Sequence, residues 1–113
     1  MIELNQDQFQ HWLKRKDPLD VVGFAGTPLG CPLSNWYTAA VPHARETYVG
    51  TVVEVYDTDG LIASNPLQDW ERRFQVIVDL AAEPDDIAPI TAGYCLRVLN
   101  AMVTMDAPLE VSS

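Results

Sequence analysis

Long hydrophobic runs are absent from this chain. Stretches such as Val76 to Val78 fall far short of the roughly 20 apolar residues a membrane-spanning helix requires, so a helical membrane protein is excluded. A basic, apolar leader is missing as well: Met1 to Gln10 carries acidic and amide side chains, which predicts no secretory signal and a cytoplasmic location. Cysteine is scarce. Cys31 and Cys95 are the only two, with 63 residues between them, so a disulfide framework is excluded and two reduced thiols are expected. Bases are few: two lysines, Lys14 and Lys16, and five arginines face 16 acids, for a net charge of -9 and a pI near 4.3. Repulsion of that sign argues against nucleic acid or an anionic membrane as a direct partner. Nor is the chain a dense carboxylate array of the kind a DNA mimic needs, because charged residues make up only 20% of it.

What remains is a globular composition, 113 residues with 48% hydrophobic and 9% aromatic side chains. A chain of this size can bury about two-thirds of its unfolded surface. It has no internal repeat, linker or low-complexity tract, so residues 1 to 113 are expected to form one domain, with a loose tail after Asp106.

Periodicity predicts the elements. Leu4-Asn5-Gln6-Asp7-Gln8-Phe9 has the layout of a helix start, with Asn5 as N-cap, Gln8 completing a capping box and Leu4 with Phe9 as a hydrophobic staple. Phe9, Trp12 and Leu13 share a face, Lys14, Arg15 and Lys16 suit the negative end of the helix dipole, and Asp17-Pro18 ends the helix. An apolar stretch from Leu19 to Phe24 is a candidate strand, and the glycines between Gly23 and Gly30 predict a loop. A short helix follows from Pro32, with Leu33, Trp36, Tyr37 and Ala40 as its apolar stripe and Val41-Pro42 as its end. From Thr47 to Tyr56 the alternation places Val49, Thr51, Val53 and Val55 on one face and Tyr48, Gly50, Val52, Glu54 and Tyr56 on the other, a strand by pattern. Asp57-Thr58-Asp59-Gly60 turns it back into Leu61 to Ala63, giving a hairpin over 47 to 63 to which Leu19 to Phe24 could add a strand. Asn65-Pro66-Leu67-Gln68 predicts the start of a third helix, with Leu67, Trp70, Phe74, Ile77 and Ala81 inward, Asp69, Glu71, Arg72 and Gln75 outward, and Glu83-Pro84 as its end. Thr91 can cap a fourth, with a stripe of Cys95, Val98, Leu99, Met102 and Met105. The expected class is α+β, with three to four helices packed on a short antiparallel sheet.

No motif specifies an activity. Cys31 at the N-terminus of the second helix is the most suggestive chemical group, because a helix N-terminus lowers a thiol pKa, and His43 just beyond the same helix could act as its base. The competing reading makes Cys31 a small core residue. The glycine loop lacks the Lys-Ser/Thr pair of a phosphate-binding loop. His11, His43 and the two cysteines are not spaced as paired metal ligands. Asp57 to Gly60 puts Leu61 where a calcium loop needs its third acid, and Ser34 and Ser64 lie outside any nucleophile-elbow sequence. No cofactor and no metal are expected.

The charge map carries the remaining signal. Between Arg45 and Arg72 lie Glu46, Glu54, Asp57, Asp59, Asp69 and Glu71 with no base among them. Such a stretch is either a solvated surface or a docking face for a basic protein. Trp36 and Tyr37 have the side-chain chemistry of binding anchors. The reading is therefore a non-enzymatic acidic regulator or inhibitor that occupies a partner's basic surface, such as that of a nucleic-acid-handling protein. Glu46, Glu54, Asp57, Asp59, Asp69, Trp36 and Tyr37 are its candidate contacts, and self-association into a homo-oligomer is compatible with it. The alternative is a small thiol-dependent enzyme or ligand-binding protein centred on Cys31 and His43.

Overall fold

Helix α1, Gln6–Lys14, begins where the sequence places it. Asn5 accepts a hydrogen bond from the Gln8 backbone N–H at 2.9 Å, and the Gln8 side chain accepts one from the Asn5 N–H at 2.8 Å. Two of the helix's orphan donors are thereby satisfied. Phe9 and Leu13 are fully buried, and Leu4 packs against the same core. The computed structural model describes residues 4–27, 29–79 and 88–106. Ala81, the expected helix end at Glu83-Pro84 and the tail after Asp106 lie outside those residues, and so does the side chain of Met105.

Strand β1, Val21–Ala25, differs from both expectations set for its segment. Gly23 belongs to the strand rather than to a loop, and the strand pairs not with the hairpin but with β5, Ala88–Thr91, in a separate two-stranded antiparallel sheet. Gly23 lies opposite Ile90, and Phe24 opposite Pro89. The reason is tertiary. The start of the second helix crosses β1 so closely that a Cβ on Gly23 would lie 2.5 Å from the backbone nitrogen of Pro32 and 2.6 Å from the carbonyl carbon of Cys31. That crossing is fixed by polar contacts on both sides: Phe24 N–H donates to the Gly30 carbonyl and Asn35 Nδ2 to the Val22 carbonyl, each at 2.8 Å.

Helix α2, Pro32–Ala40, buries Leu33, Ser34, Trp36 and Tyr37. The expected single strand from Thr47 to Tyr56 is instead two strands, β2 at Glu46–Val49 and β3 at Val52–Asp57, folded at Gly50-Thr51. The alternation survives the fold because Val49 pairs directly with Val53, and directly opposed residues share a face. Val49, Val53 and Val55 therefore still point inward, joined by Thr47, whereas Thr51, expected on the same face, is exposed where the chain folds back. Strand β4, Gly60–Pro66, completes a three-stranded meander in the order β2-β3-β4. Its turn is the expected one, with Asp57 Oδ1 accepting from the N–H groups of Asp59 and Gly60 at 2.7 and 3.1 Å, and Gly60 at φ +132, where a side chain would be strained.

Asn65 and Pro66 thus end a strand rather than starting a helix. Helix α3 runs over Asp69–Asp79, with the Gln68 carbonyl accepting from Arg72 N–H at 3.0 Å. Leu67 is buried ahead of the helix and Trp70, Phe74 and Val78 are buried on it, while Ile77, expected inward, is half-buried. In α4, Ala92–Asp106, Thr91 caps by accepting from Tyr94 N–H at 3.1 Å, and Cys95, Val98, Leu99 and Met102 are buried as expected. Among the described residues, then, four helices pack with two antiparallel sheets, an α+β fold.

Gly23→Ala is expected to cost at least the roughly 1 to 3 kcal/mol of an overpacked site, because the atoms it would strike are backbone and cannot rotate away. A denaturant titration checks this; an unchanged midpoint would show that β1 and α2 can separate freely.

Candidate partner-binding face

The meander has two unlike surfaces. Its inner one is tied to α2, where Ser34 Oγ donates to the Thr47 carbonyl at 2.5 Å and the Thr38 and Thr47 hydroxyls lie 3.0 Å apart. Its outer one carries the opposite residues of each strand. Register places Glu46 beside Tyr56 and Tyr48 beside Glu54, with Ser64 on the far side of Glu54. Carboxylates and phenols therefore alternate diagonally across β2 and β3. Tyr56 Oη donates to Glu54 Oε1 at 3.3 Å, and its phenol pKa is pushed up by desolvation on the sheet and then by the Glu54 and Glu46 charges. Glu46 is exposed, Tyr48 is 37% exposed, and no residue from 46 to 66 is basic.

The candidate acids divide. Glu46 and Glu54 share this outer face. Asp57 and Asp59 lie at its turn end, next to the Glu46–Tyr56 pair, although one oxygen of Asp57 is engaged by the turn itself. Asp69 does not join them. It stands in the first turn of α3, with Arg72 Nη1 at 3.8 Å and Arg73 Nε at 3.4 Å, so its charge is partly offset by its own helix.

Trp36 and Tyr37, the expected anchors, are corrections: they are 2% and 1% exposed and face the core. Trp36 lies 4.9 Å from Phe9 and 5.9 Å from Trp70, measured between ring centroids. Helical spacing marks them equally as core or as contact surface, and only packing decides. The aromatic side chains that do reach solvent on the acidic face are Tyr48 and Tyr56. Their signal in the sequence was the alternation that put them on the same side as Glu54.

The thiol constellation is not assembled. Cys31 is the N-cap of α2, with its sulfur accepting from Ser34 N–H at 3.4 Å, but it is fully buried. Desolvation pushes its thiol pKa up against the pull of the helix N-terminus, the reverse of nucleophile activation. His43 is exposed, at φ 69, beyond the other end of the helix. A nine-residue helix is about 13 Å long, so α2 holds the two groups apart instead of joining them. Cys95 is also buried, and burial raises its thiol to about 12. Among the described residues no three His, Cys, Asp or Glu side chains converge as metal ligands, and no helix is long and apolar enough to cross a membrane.

Glu71 was expected to face outward with its neighbours on α3, and it is fully buried. Its Oε2 accepts from Tyr37 Oη and its Oε1 from Gln68 N–H at 2.8 Å. One carboxyl group thus caps α3 and ties it to α2. Burial raises its pKa although both hydrogen bonds oppose the shift, and the Tyr37 phenol is raised by burial and then by Glu71. Nothing in the 3.6-residue pattern of α3 distinguishes this acid from the exposed ones beside it.

No protein-family model, no curated protein and no solved structure matches the chain.

Two predictions follow from this geometry. A raised carboxyl pKa means the folded state holds the Glu71 proton more tightly than the unfolded state, so Glu71 loses the protein stability as pH rises from the unfolded carboxylate range through the folded value. Glu71→Gln should therefore remove this pH dependence and leave stability at pH 7 nearly unchanged or higher, while Glu71→Ala, which strands the Tyr37 hydroxyl, should cost about 1 to 3 kcal/mol. Urea titrations at acidic and neutral pH measure both. For the thiols, Cys31 and Cys95 should alkylate in the native protein no faster than unfolding exposes them; fast native labelling of Cys31 would revive it as a reactive group.

Proposed function

We propose that this chain is a non-enzymatic interaction protein that docks a basic protein surface against the outer face of the β2-β3-β4 sheet. The observation that supports it most directly is the register of β2 and β3, which gathers Glu46 and Glu54 with Tyr48 and Tyr56 on one solvent-facing surface built from a segment, residues 46 to 66, that contains no base. Carboxylates there can steer a cationic partner from a distance. Tyrosines supply rigid apolar area with a polar tip, the composition of contact residues that hold a complex once formed. Asp57 and Asp59 extend the negative potential past the turn. A regulator or inhibitor of a protein with a basic working surface, such as one that handles nucleic acid, fits this chemistry, as it fits the overall charge of -9. A cytoplasmic location belongs to the same reading.

Affinity capture with the intact protein supplies the partner, and association rate against ionic strength tests the mode. Glu46→Gln combined with Glu54→Gln should lower the association rate several-fold at low salt and flatten its salt dependence, since the Debye length falls from about 10 Å at 0.1 M to about 3 Å at 1 M. Tyr48→Ala should instead raise the dissociation rate. Rates and salt slopes identical to wild type in both variants would overturn the assignment of this face.

A further inference from the structure

Where β2 folds back into β3, the acidic face borders a cavity. Its volume is about 330 Å³, and Gly26, Thr27, Val49, Gly50, Gln75 and Asp79 line it. Three parts of the fold meet there: the chain leaving β1, the bend between β2 and β3, and α3. Tyr48 joins the cavity to the outer face, because its ring lies over Gly50: a Cβ on that glycine would be 2.6 Å from Tyr48 Cε1 and 2.9 Å from Tyr48 Oη. The polar groups of the cavity are short of donors. Asp79 Oδ1 accepts from the Gly26 N–H at 3.2 Å, and Gln75 Nε2 stands 3.4 and 3.5 Å from the two Asp79 oxygens, at the long limit of hydrogen bonding. No ion pair neutralises Asp79 among the described residues, since both pairs found there belong to Asp69. Gln75 Oε1 is shielded from solvent and accepts no hydrogen bond, which costs the folded state free energy.

We infer that this cavity takes the guanidinium group of one arginine from the basic partner. The inference rests on the reading of the outer face as the docking surface and names the side chain that anchors the partner beside it. Asp79 supplies a carboxylate without a cation. A half-turn of the Gln75 amide would exchange Nε2 for Oε1 and aim an oxygen at the space beside that carboxylate. Two acceptors can face each other there only with a cation between them, so the shielded oxygen gains its donor when the ligand arrives. Arginine suits the site better than lysine. Its planar fork can donate to the carboxylate and the amide oxygen together and lie against the Tyr48 ring, whereas an ammonium is a compact point charge. The size agrees: about 330 Å³ is at the small end of ligand pockets, which run from about 300 to 1,000 Å³, and leaves room for one side chain rather than a large cofactor.

The test uses the intact protein and the tripeptide acetyl-Gly-Arg-Gly-amide, beside its lysine analogue and its citrulline analogue, which keeps the side chain's shape without the charge. In an NMR titration at about 0.15 M salt, where charges beyond about 8 Å are screened, the arginine peptide should shift the Gly26, Thr27 and Gly50 amide signals. It should bind about tenfold more tightly than the citrulline peptide and several-fold more tightly than the lysine one. Asp79→Asn keeps an oxygen for the Gly26 N–H but loses the charge. It should weaken arginine binding by about tenfold and raise the dissociation rate of the captured partner, with thermal unfolding confirming that the variant is folded. Glu46→Gln combined with Glu54→Gln should change the tripeptide affinity less than Asp79→Asn does. Absence of binding, equal binding of either analogue, signal shifts confined to the outer face, or an arginine affinity that Asp79→Asn leaves unchanged would each overturn the arginine site. If the Glu46 and Glu54 variant still slows the partner in that case, the docking face stands without this anchor. If the cavity binds arginine as expected and that variant leaves partner kinetics unaltered, the outer face is overturned and the cavity keeps its ligand.

Discussion

Four aromatic rings from three helices close on Phe9. Trp12 lies 6.0 Å from it along α1, Trp36 4.9 Å away on α2, and Trp70 and Phe74 5.8 and 5.1 Å away on α3. Stacked, tilted and edge-on arrangements of this kind add about 0.5 to 1.5 kcal/mol per pair to the area they bury. More important is what they fix. α1 enters the core through Phe9, and α2 and α3 are held against it by rings that touch one another as well as Phe9. The α1 capping box sets the position of that residue, so a local hydrogen-bond exchange at Asn5 and Gln8 and the packing of three helices are parts of one arrangement.

Beside this cluster stands its polar counterpart. The Glu71 carboxyl group takes the Tyr37 hydroxyl and the Gln68 N–H, so α2 and α3 are joined by a bond with a defined geometry as well as by ring contacts. An aromatic core tolerates small slides because dispersion is non-directional. A buried acceptor does not, since every displaced bond leaves a desolvated polar atom. The carboxyl group sits in an apolar environment that disfavours its charge, which makes this tie a cost at neutral pH as well as a constraint on register.

With α2 fixed, the meander follows. Ser34 and Thr38 hold Thr47 from the inside, which commits one face of β2 to the core and releases Glu46 and Tyr48 to solvent. The chemistry of the outer face is thus a consequence of burying the inner one: alternation gives every strand two faces, and filling one with valine and threonine leaves carboxylates and phenols on the other. The same logic accounts for the two sites that did not form. Cys31, Trp36 and Tyr37 lie on or next to the stripe of α2 that the core requires, and a residue taken by the core cannot also meet a partner.

Local physics settled much of this protein before any tertiary contact was considered. The Asn5 and Thr91 caps, Phe9 and Leu13 on α1, Leu33, Trp36 and Tyr37 on α2, Cys95, Val98, Leu99 and Met102 on α4, the Asp57 to Gly60 turn and the inward valines at 49, 53 and 55 all depend on neighbours within a few positions, and all stand in the structure, whereas Ala40 and Thr51, expected inward with them, are exposed. Interactions across long separations decided the rest. Gly23 reads as a loop residue until the backbone of α2 passes where its Cβ would be. β1 finds its partner in residues 88 to 91, too far along the chain for periodicity to register. Pro66 looks like a first helical residue until β3 recruits it into a strand. Glu71 looks solvent-facing until Tyr37, 34 residues earlier, supplies the donor that lets a carboxyl group be buried. In each case the sequence offered a residue compatible with two environments, and the free energy of packing or of a single long-range hydrogen bond chose between them.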